Sequence, residues 1–176
     1  ADALLLGAGG STIAISWYLS QRERGLDRPA RIVVTNRSAA RLDHLREIHA
    51  SLPTDTRFEY HLTPTPADNA RVLADLAPRS LVVNATGLGK DAPGSPLPDD
   101  AIFPRDGVAW DLNYRGDLVF LDQARAKSDA RALRVEDGWI YFVHGWTQVI
   151  AEVFDIDIPT SGPAFERLSD LALATR

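Results

Sequence analysis

The chain has 176 residues, 45% hydrophobic and 24% charged, with a formal net charge of −5 at pH 7, enough for one domain with a sizeable core. An acidic chain without a basic face excludes a sequence-independent nucleic-acid binder, and the lack of cysteine excludes disulfides, thiolate metal sites and thiol catalysis. No apolar run approaches the ~20 residues of a membrane span, and no basic segment leads into a signal-peptide core, so a cytoplasmic protein without membrane or nucleic-acid partners is expected.

Ala1 and Asp2 run directly into Leu4-Leu5-Leu6, which reads as a central strand, and the chain contains no methionine. Its start therefore reads as internal to a longer protein. The strand breaks at Gly7-Ala8-Gly9-Gly10-Ser11. Gly7 permits a tight turn, Gly9 lets backbone approach phosphate oxygens, and the N–H groups of the helix that follows point at the anion. Residues 11–24 read as a helix buried at its beginning, with Gly25 as its stop. Arg31-Ile32-Val33-Val34-Thr35 is a β-branched run suited to a parallel strand covered on both faces, which completes a βαβ unit.

The end of a second Rossmann strand selects the dinucleotide: an Asp or Glu grips a free ribose, whereas a 2′-phosphate requires a guanidinium in its place. Here stand Asn36, Arg37 and Ser38, with Arg41 following. The absence of a carboxylate and the presence of two forked donors read as NADP rather than NAD.

Leu42, Leu45 and Ile48 mark the next helix, on which His44 and His49 read as solvated residues without function. Residues 58–62 alternate as a strand near the sheet edge, and Thr65-Pro66 opens a helix reaching residue 77. Residues 80–84 form a fully apolar fourth strand ending in Asn84-Ala85-Thr86-Gly87-Leu88-Gly89-Lys90. That loop adjoins the first strand where strand order reverses, so it should border the nicotinamide half of the cofactor. The sequon at Asn84 lacks the secretory signal that would make it meaningful. Residues 91–104 read as a proline-rich surface excursion, 108–112 as a fifth strand, Leu118, Leu121 and Ala124 as a helix, and 131–135 as a sixth strand. Helices over 139–154 and around Phe165, Leu168 and Leu171 close the chain. The expected fold is a three-layer α/β Rossmann domain spanning 1–176, a doubly wound parallel sheet of order 3-2-1-4-5-6 with extra C-terminal helices.

These motifs, in this order, resemble the cofactor domain of shikimate dehydrogenases: the glycine turn at Gly7, Asn36-Arg37-Ser38 with Arg41, the Asn84 to Leu88 loop, the run from Asp111 to Tyr114, and a late Gln148. The resemblance implies NADP-linked, reversible reduction of 3-dehydroshikimate, with this domain closing on an N-terminal substrate domain that supplies a catalytic Lys and Asp. It matches Arg37 and Arg41 to the 2′-phosphate clamp and Tyr114 and Gln148 to residues that touch substrate.

Four features depart from the pattern. Thr12 replaces a smaller residue, which would set the first helix slightly further from its strand, and Gly116 replaces a proline. Gly138 and Gln148 are ten apart rather than seven, and His144 rivals Gln148 on the same helix. The aromatic run from Trp139 to Trp146 reads either as core or as a face against which another domain closes. With only Lys90 and Lys127 present as lysines, no candidate proton donor for the alkoxide is evident. The chain alone is therefore expected to bind NADP without turning over substrate. A non-catalytic NADP-binding regulatory module and a quinate dehydrogenase-like enzyme are the alternatives. A preceding α/β domain bearing a Lys and an Asp separates enzyme from module, and substrate preference separates the two enzymes.

Overall fold

The computed structural model describes residues 1–174. Six parallel strands form one sheet of order β3-β2-β1-β4-β5-β6, as the alternation of apolar runs and helical stretches predicts. They are β1 (Asp2–Leu6), β2 (Arg31–Asn36), β3 (Arg57–Leu62), β4 (Leu81–Asn84), β5 (Val108–Asp111) and β6 (Arg134–Glu136). β1 is buried along its whole length and β2 nearly so, because helices cover both faces; apolar residues therefore run consecutively instead of alternating.

Side-chain alternation along the strands divides the core in two. Ala3, Leu5, Ile32, Val34 and Val83 face α1 (Gly10–Leu19) and α2 (Ala39–Ala50), while Leu4, Leu6, Val33, Val82 and Ala109 face α3 (Pro66–Ala74) and α4 (Val119–Arg125). Beyond α5 (Ser128–Arg131), α6 (Trp139–Phe154) and α7 (Gly162–Leu173) pair around a separate cluster of Trp139, Val143 and Phe165. Among the described residues no helix is long and apolar enough to cross a membrane.

Several expectations change. Residues 91–104 are not simply surface: Leu97, Ala101 and Phe103 are buried in the core, with Phe103 edge-on to Phe120 at 5.8 Å. Prolines prevent a helix there, so irregular chain carries the apolar residues that cover this part of the sheet. The first helix ends at Leu19, Arg22–Asp27 form a 3-10 turn containing Gly25, and Trp17 and Tyr18 in the last turn of the helix are exposed. α3 stops at Ala74, three residues early. The sixth strand begins at Arg134 because α5 and the left-handed Ala132 occupy its expected start. Thr12 is wholly buried, and its hydroxyl donates to the Gly7 carbonyl at 2.7 Å, tying the helix to the turn rather than holding it away.

His49 is a further correction. It is buried where α2 meets α1 and β3, its Nε2 is 2.7 Å from Ser16 Oγ, its Nδ1 is 2.8 Å from Tyr60 OH, and its ring stacks on Phe58. Ser16 also donates to the Ile13 carbonyl. A neutral ring carrying its proton on Nε2, with Tyr60 donating to Nδ1, satisfies every group. Burial lowers its pKa to about 4 from 6.5. The unfolded chain takes up a proton between those pH values and the folded chain does not, so this contribution is whole above pH 6.5 and lost as pH falls towards 4. Denaturant titration should show the stability of wild type relative to His49→Gln falling by on the order of 3 kcal/mol from pH 7 to pH 4. A pH-independent difference would exclude a buried neutral ring.

Candidate functional site

The central strands end level with one another: Leu6 is in register with Thr35 and with Asn84, and Asn84 with Asp111. Two clefts open above these ends and share Ala85, Thr86, Gly87 and Asp91 as a common wall. The first, of about 460 Å³, crosses the ends of β3, β2, β1 and β4; the second, of about 340 Å³, lies towards β5 and α6.

The first cleft gathers most of the predicted cofactor residues: Gly7, Ala8 and Gly9 from the opening turn, Asn36, Arg37, Ser38 and Arg41 from β2 onward, and Ala85, Thr86, Gly87 and Leu88 from the β4 loop. Gly7 has φ +105°, and a Cβ there would lie 2.9 Å from the Ala85 carbonyl oxygen, so both the turn and the contact require glycine. Gly9 caps α1 without a side-chain hydrogen bond, and the first turn holds no acidic residue. The orphan N–H groups there favour an anion, and open space surrounds the Cβ positions of Gly9 and Gly10. Gly10 heads the helix at the surface. Asn36 Oδ1 accepts from Ser38 N at 3.0 Å, shaping the turn that brings Arg37 to the cleft. Asp91, the carboxylate on the shared wall, is paired with Lys90 at 3.3 Å.

Asn84 lies beneath the clefts, fully buried. Its Oδ1 accepts from Thr86 N at 3.1 Å and from Thr86 Oγ1 at 2.6 Å, and its Nδ2 donates to Asp111 Oδ1 at 3.1 Å. Asp111 Oδ1 also accepts from Asn113 N at 2.9 Å, and Asn113 Nδ2 donates to the carbonyls of Thr86 and Leu88 at 3.2 and 3.1 Å. Asn84, Asp111 and Asn113 thus fasten the glycine loop to the ends of β4 and β5. Sequence reading gave no role to Asp111 or Asn113; their i, i+2 spacing at a strand end was the available signal.

The second cleft is lined by Ser11, Asn113, Tyr114, Tyr141 and Phe142 among others. Tyr114 stacks on Phe142 with ring centroids 4.1 Å apart, and Ser11 Oγ lies 3.1 Å from Tyr141 OH. Tyr141 joins the cleft without having been singled out. Gln148 is exposed on α6 and does not line either cleft. α6 runs unbroken through Gly145, so a three-residue difference in spacing displaces a side chain about 60° around the axis and about 4.5 Å along it. Residue 145, seven after Gly138, is a glycine whose Cβ position meets nothing within 4 Å. His144 stacks on Phe165 at 4.3 Å, so it packs against α7 rather than the cleft.

The buried Asp111 carboxyl has its pKa raised to about 6, chiefly by desolvation and opposed by its hydrogen bonds with Asn113 and Asn84; its Oδ2 has no partner among the described residues. The stability this group contributes is present below its unfolded pKa of 3.8 and lost as pH rises through about 6. Asp111→Asn keeps the Oδ1 acceptor and does not titrate. Its stability relative to wild type should improve by on the order of 2–3 kcal/mol between pH 4 and pH 7 in chemical denaturation; a constant difference would show that the carboxyl keeps its ordinary acidity.

No family model matches the chain. A shikimate dehydrogenase (NADP(+)) of Thermus thermophilus is 37% identical over 138 residues, covering 77% of this chain and 42% of the relative. Another from Nitrobacter winogradskyi is 37% identical over 147 residues, covering 81% and 44%. Among solved structures, a shikimate 5-dehydrogenase of Thermus thermophilus in complex with shikimate superposes with a TM-score of 0.60 at 29% identity, over 98% of this chain and 54% of that one. The chain spans less than half the length of these two curated relatives.

Proposed function

Because the chain belongs to the shikimate dehydrogenase family, we propose that it is the NADP(H)-binding domain of a shikimate dehydrogenase-like oxidoreductase. The complete enzyme then reduces 3-dehydroshikimate reversibly to shikimate with NADPH as the reductant. The observation that carries this reading is the first cleft, where Arg37 follows β2 and Arg41 stands on the first turn of α2, with no Asp or Glu at the end of the strand. A 2′-phosphate there meets two guanidinium forks, and a pyrophosphate meets the uncapped start of α1 over the open Gly9-Gly10 backbone. When bound, the nicotinamide supplies the hydride. The Asn84, Asp111 and Asn113 network holds the loop that borders its ring, and Tyr114, set against Phe142, faces the substrate side.

The substrate domain belongs, in this reading, to the part of the relatives that the chain does not span. Two features support it. Lys90 is paired with Asp91, so the proton for the developing alkoxide is assigned to the Lys and Asp that the family resemblance implies in the other domain. And Trp146, Val149, Ile150, Val153 and Phe154 lie exposed along one face of α6, at the i, i+3, i+4, i+7 spacing of a helix with a packing partner. The aromatic run is thus divided: Trp139 and Val143 pack inward on α7, and Trp146 belongs to the outer face offered to the substrate domain.

Two measurements test this reading. Arg37→Ala should weaken NADP binding by about 1–3 kcal/mol in calorimetry while leaving NAD nearly unchanged; equal losses would mean that Arg37 does not read the phosphate. The 176-residue chain should bind NADPH yet oxidise no shikimate above a matched blank, and measurable turnover would refute the assignment of proton transfer to another domain.

A further inference from the structure

Interior strands of a parallel sheet are covered on both faces when the three-layer sandwich is complete. β1 meets that condition and is buried at each of its five residues. β5 does not: Ala109 and Asp111 are buried, whereas Val108 and Trp110, which alternate with them, are partly exposed. Leu81, in register with Val108 on β4, is partly exposed as well. Both strands have a neighbour on either side in the sheet, so the exposure belongs to a face and not to an edge.

The cause is a gap in one helical layer. On the face of Val82 and Ala109 the core includes Phe120 and Ala124 of α4. On the face of Val83 and Trp110, the helical residues of the core come from α1 and α2 alone among the described residues. A strip therefore lies open beside α1, with Leu81, Val108 and Trp110 as its floor. Its inner flank is the side of α1 that carries Ser11, Ile15 and Tyr18 at helical spacing, with Tyr18 53% exposed. Tyr141, edge-on to Trp110 at 5.7 Å and hydrogen-bonded to Ser11, closes the upper end. On β6, the paired Arg134 and Glu136 lie in register with Val108 and Trp110 and form a charged outer rim. Two strands span about 10 Å, the width of one α-helix.

The lower end of the strip adjoins the foot of β1. Asp2 N donates to Ser80 Oγ at 2.9 Å, and Ala3 is in register with Leu81. A segment that feeds β1 thus arrives where the strip begins, and more than half the length of the two curated relatives lies outside the part that this chain matches. We propose that the strip seats an amphipathic helix of the segment immediately preceding β1. Its apolar stripe lies on Leu81, Val108 and Trp110, and its polar side faces solvent between Tyr18 and Glu136. The proposal rests on the reading of the chain as one domain of a longer protein, but it concerns a different surface from the outer face of α6. The strip belongs to the sheet, so its helix completes the third layer of this domain, and its far end lies beside Tyr141 at the rim of the second cleft.

The chain contains no cysteine, so a single introduced thiol reports its own surroundings. Val108→Cys is to be labelled with a maleimide in the 176-residue chain, in a chain extended by about 20 residues before Ala1, and in the complete polypeptide. Labelling should slow about tenfold or more from the 176-residue chain to the extended one, and to the same degree in the complete polypeptide. Equal rates in the short and extended chains would overturn the proposal. Protection found only in the complete polypeptide would then assign the strip to another segment, and protection of the short chain that fades on dilution would assign it to a second copy. Val153→Cys, on the outer face of α6, should be protected only in the complete polypeptide. If it stays reactive there while Val108→Cys is protected in the extended chain, the docking of a substrate domain on α6 falls and the helix stands. Leu81→Cys gives the same comparison should Val108→Cys not fold.

Discussion

A single close approach of backbone to backbone holds the two halves of the site in place. At Gly7 the chain leaves β1 with a positive φ, and its missing side chain leaves room for the Ala85 carbonyl at the start of the β4 loop. On either side of that contact, Gly7 N donates to Thr35 O and Ala85 N donates to Leu6 O, each at 2.9 Å. These bonds extend the β1–β2 and β1–β4 ladders one step past the strand ends, so the turn, the arginine-bearing end of β2 and the glycine loop move as one body. Any side chain at position 7 would separate them, because interiors packed to this density have no slack to absorb a methyl group.

Buried polar groups then adjust what that frame presents. His49 and Asp111 are both desolvated, with opposite consequences. Burial keeps the imidazole neutral, and its two hydroxyl partners fix it as a structural junction of α1, α2 and β3. The Asp111 carboxyl is charged at neutral pH only against a desolvation penalty, and it remains beneath the clefts because Asn84 and Asn113 use its Oδ1 to fasten the loop above. One group stiffens the scaffold away from both clefts, while the other gives up some stability near neutral pH to hold the glycine loop between them. That exchange is characteristic of functional positions.

The two clefts differ in how complete they are. The first draws its walls from the loops after four strands and from the first turns of α2 and α3, and offers two arginines together with the uncapped turn that leads into α1. The second has one wall of aromatic side chains at the start of α6, and the same helix further along exposes an apolar face to solvent. A face of that size costs solubility without a partner. Closure against a second domain, as proposed above, would cover that face and complete the second cleft.

The sheet order, the glycine turn and the two arginines were legible in the sequence, because each is a local signal. Consecutive apolar residues mark doubly covered strands, Gly7 and Gly9 mark the turn, and the missing carboxylate after β2 is a matter of residue identity. Other features depend on which residues meet across the sheet, and periodicity carries no record of that. It did not show that a proline-rich stretch buries Phe103, that His49 finds Ser16 and Tyr60, or that Asp111 receives Asn84. The spacing from Gly138 to Gln148 was readable as an anomaly, but only the unbroken course of α6 decides that Gln148 lies outside both clefts, since it falls on the same side of the helix as Tyr141 but two turns, about 10.5 Å, further along the axis. The sequence by itself determined the order of the strands and the charge placed at their ends. Tertiary packing alone decided which polar groups lie buried together, because their partners are supplied by segments far apart in the chain.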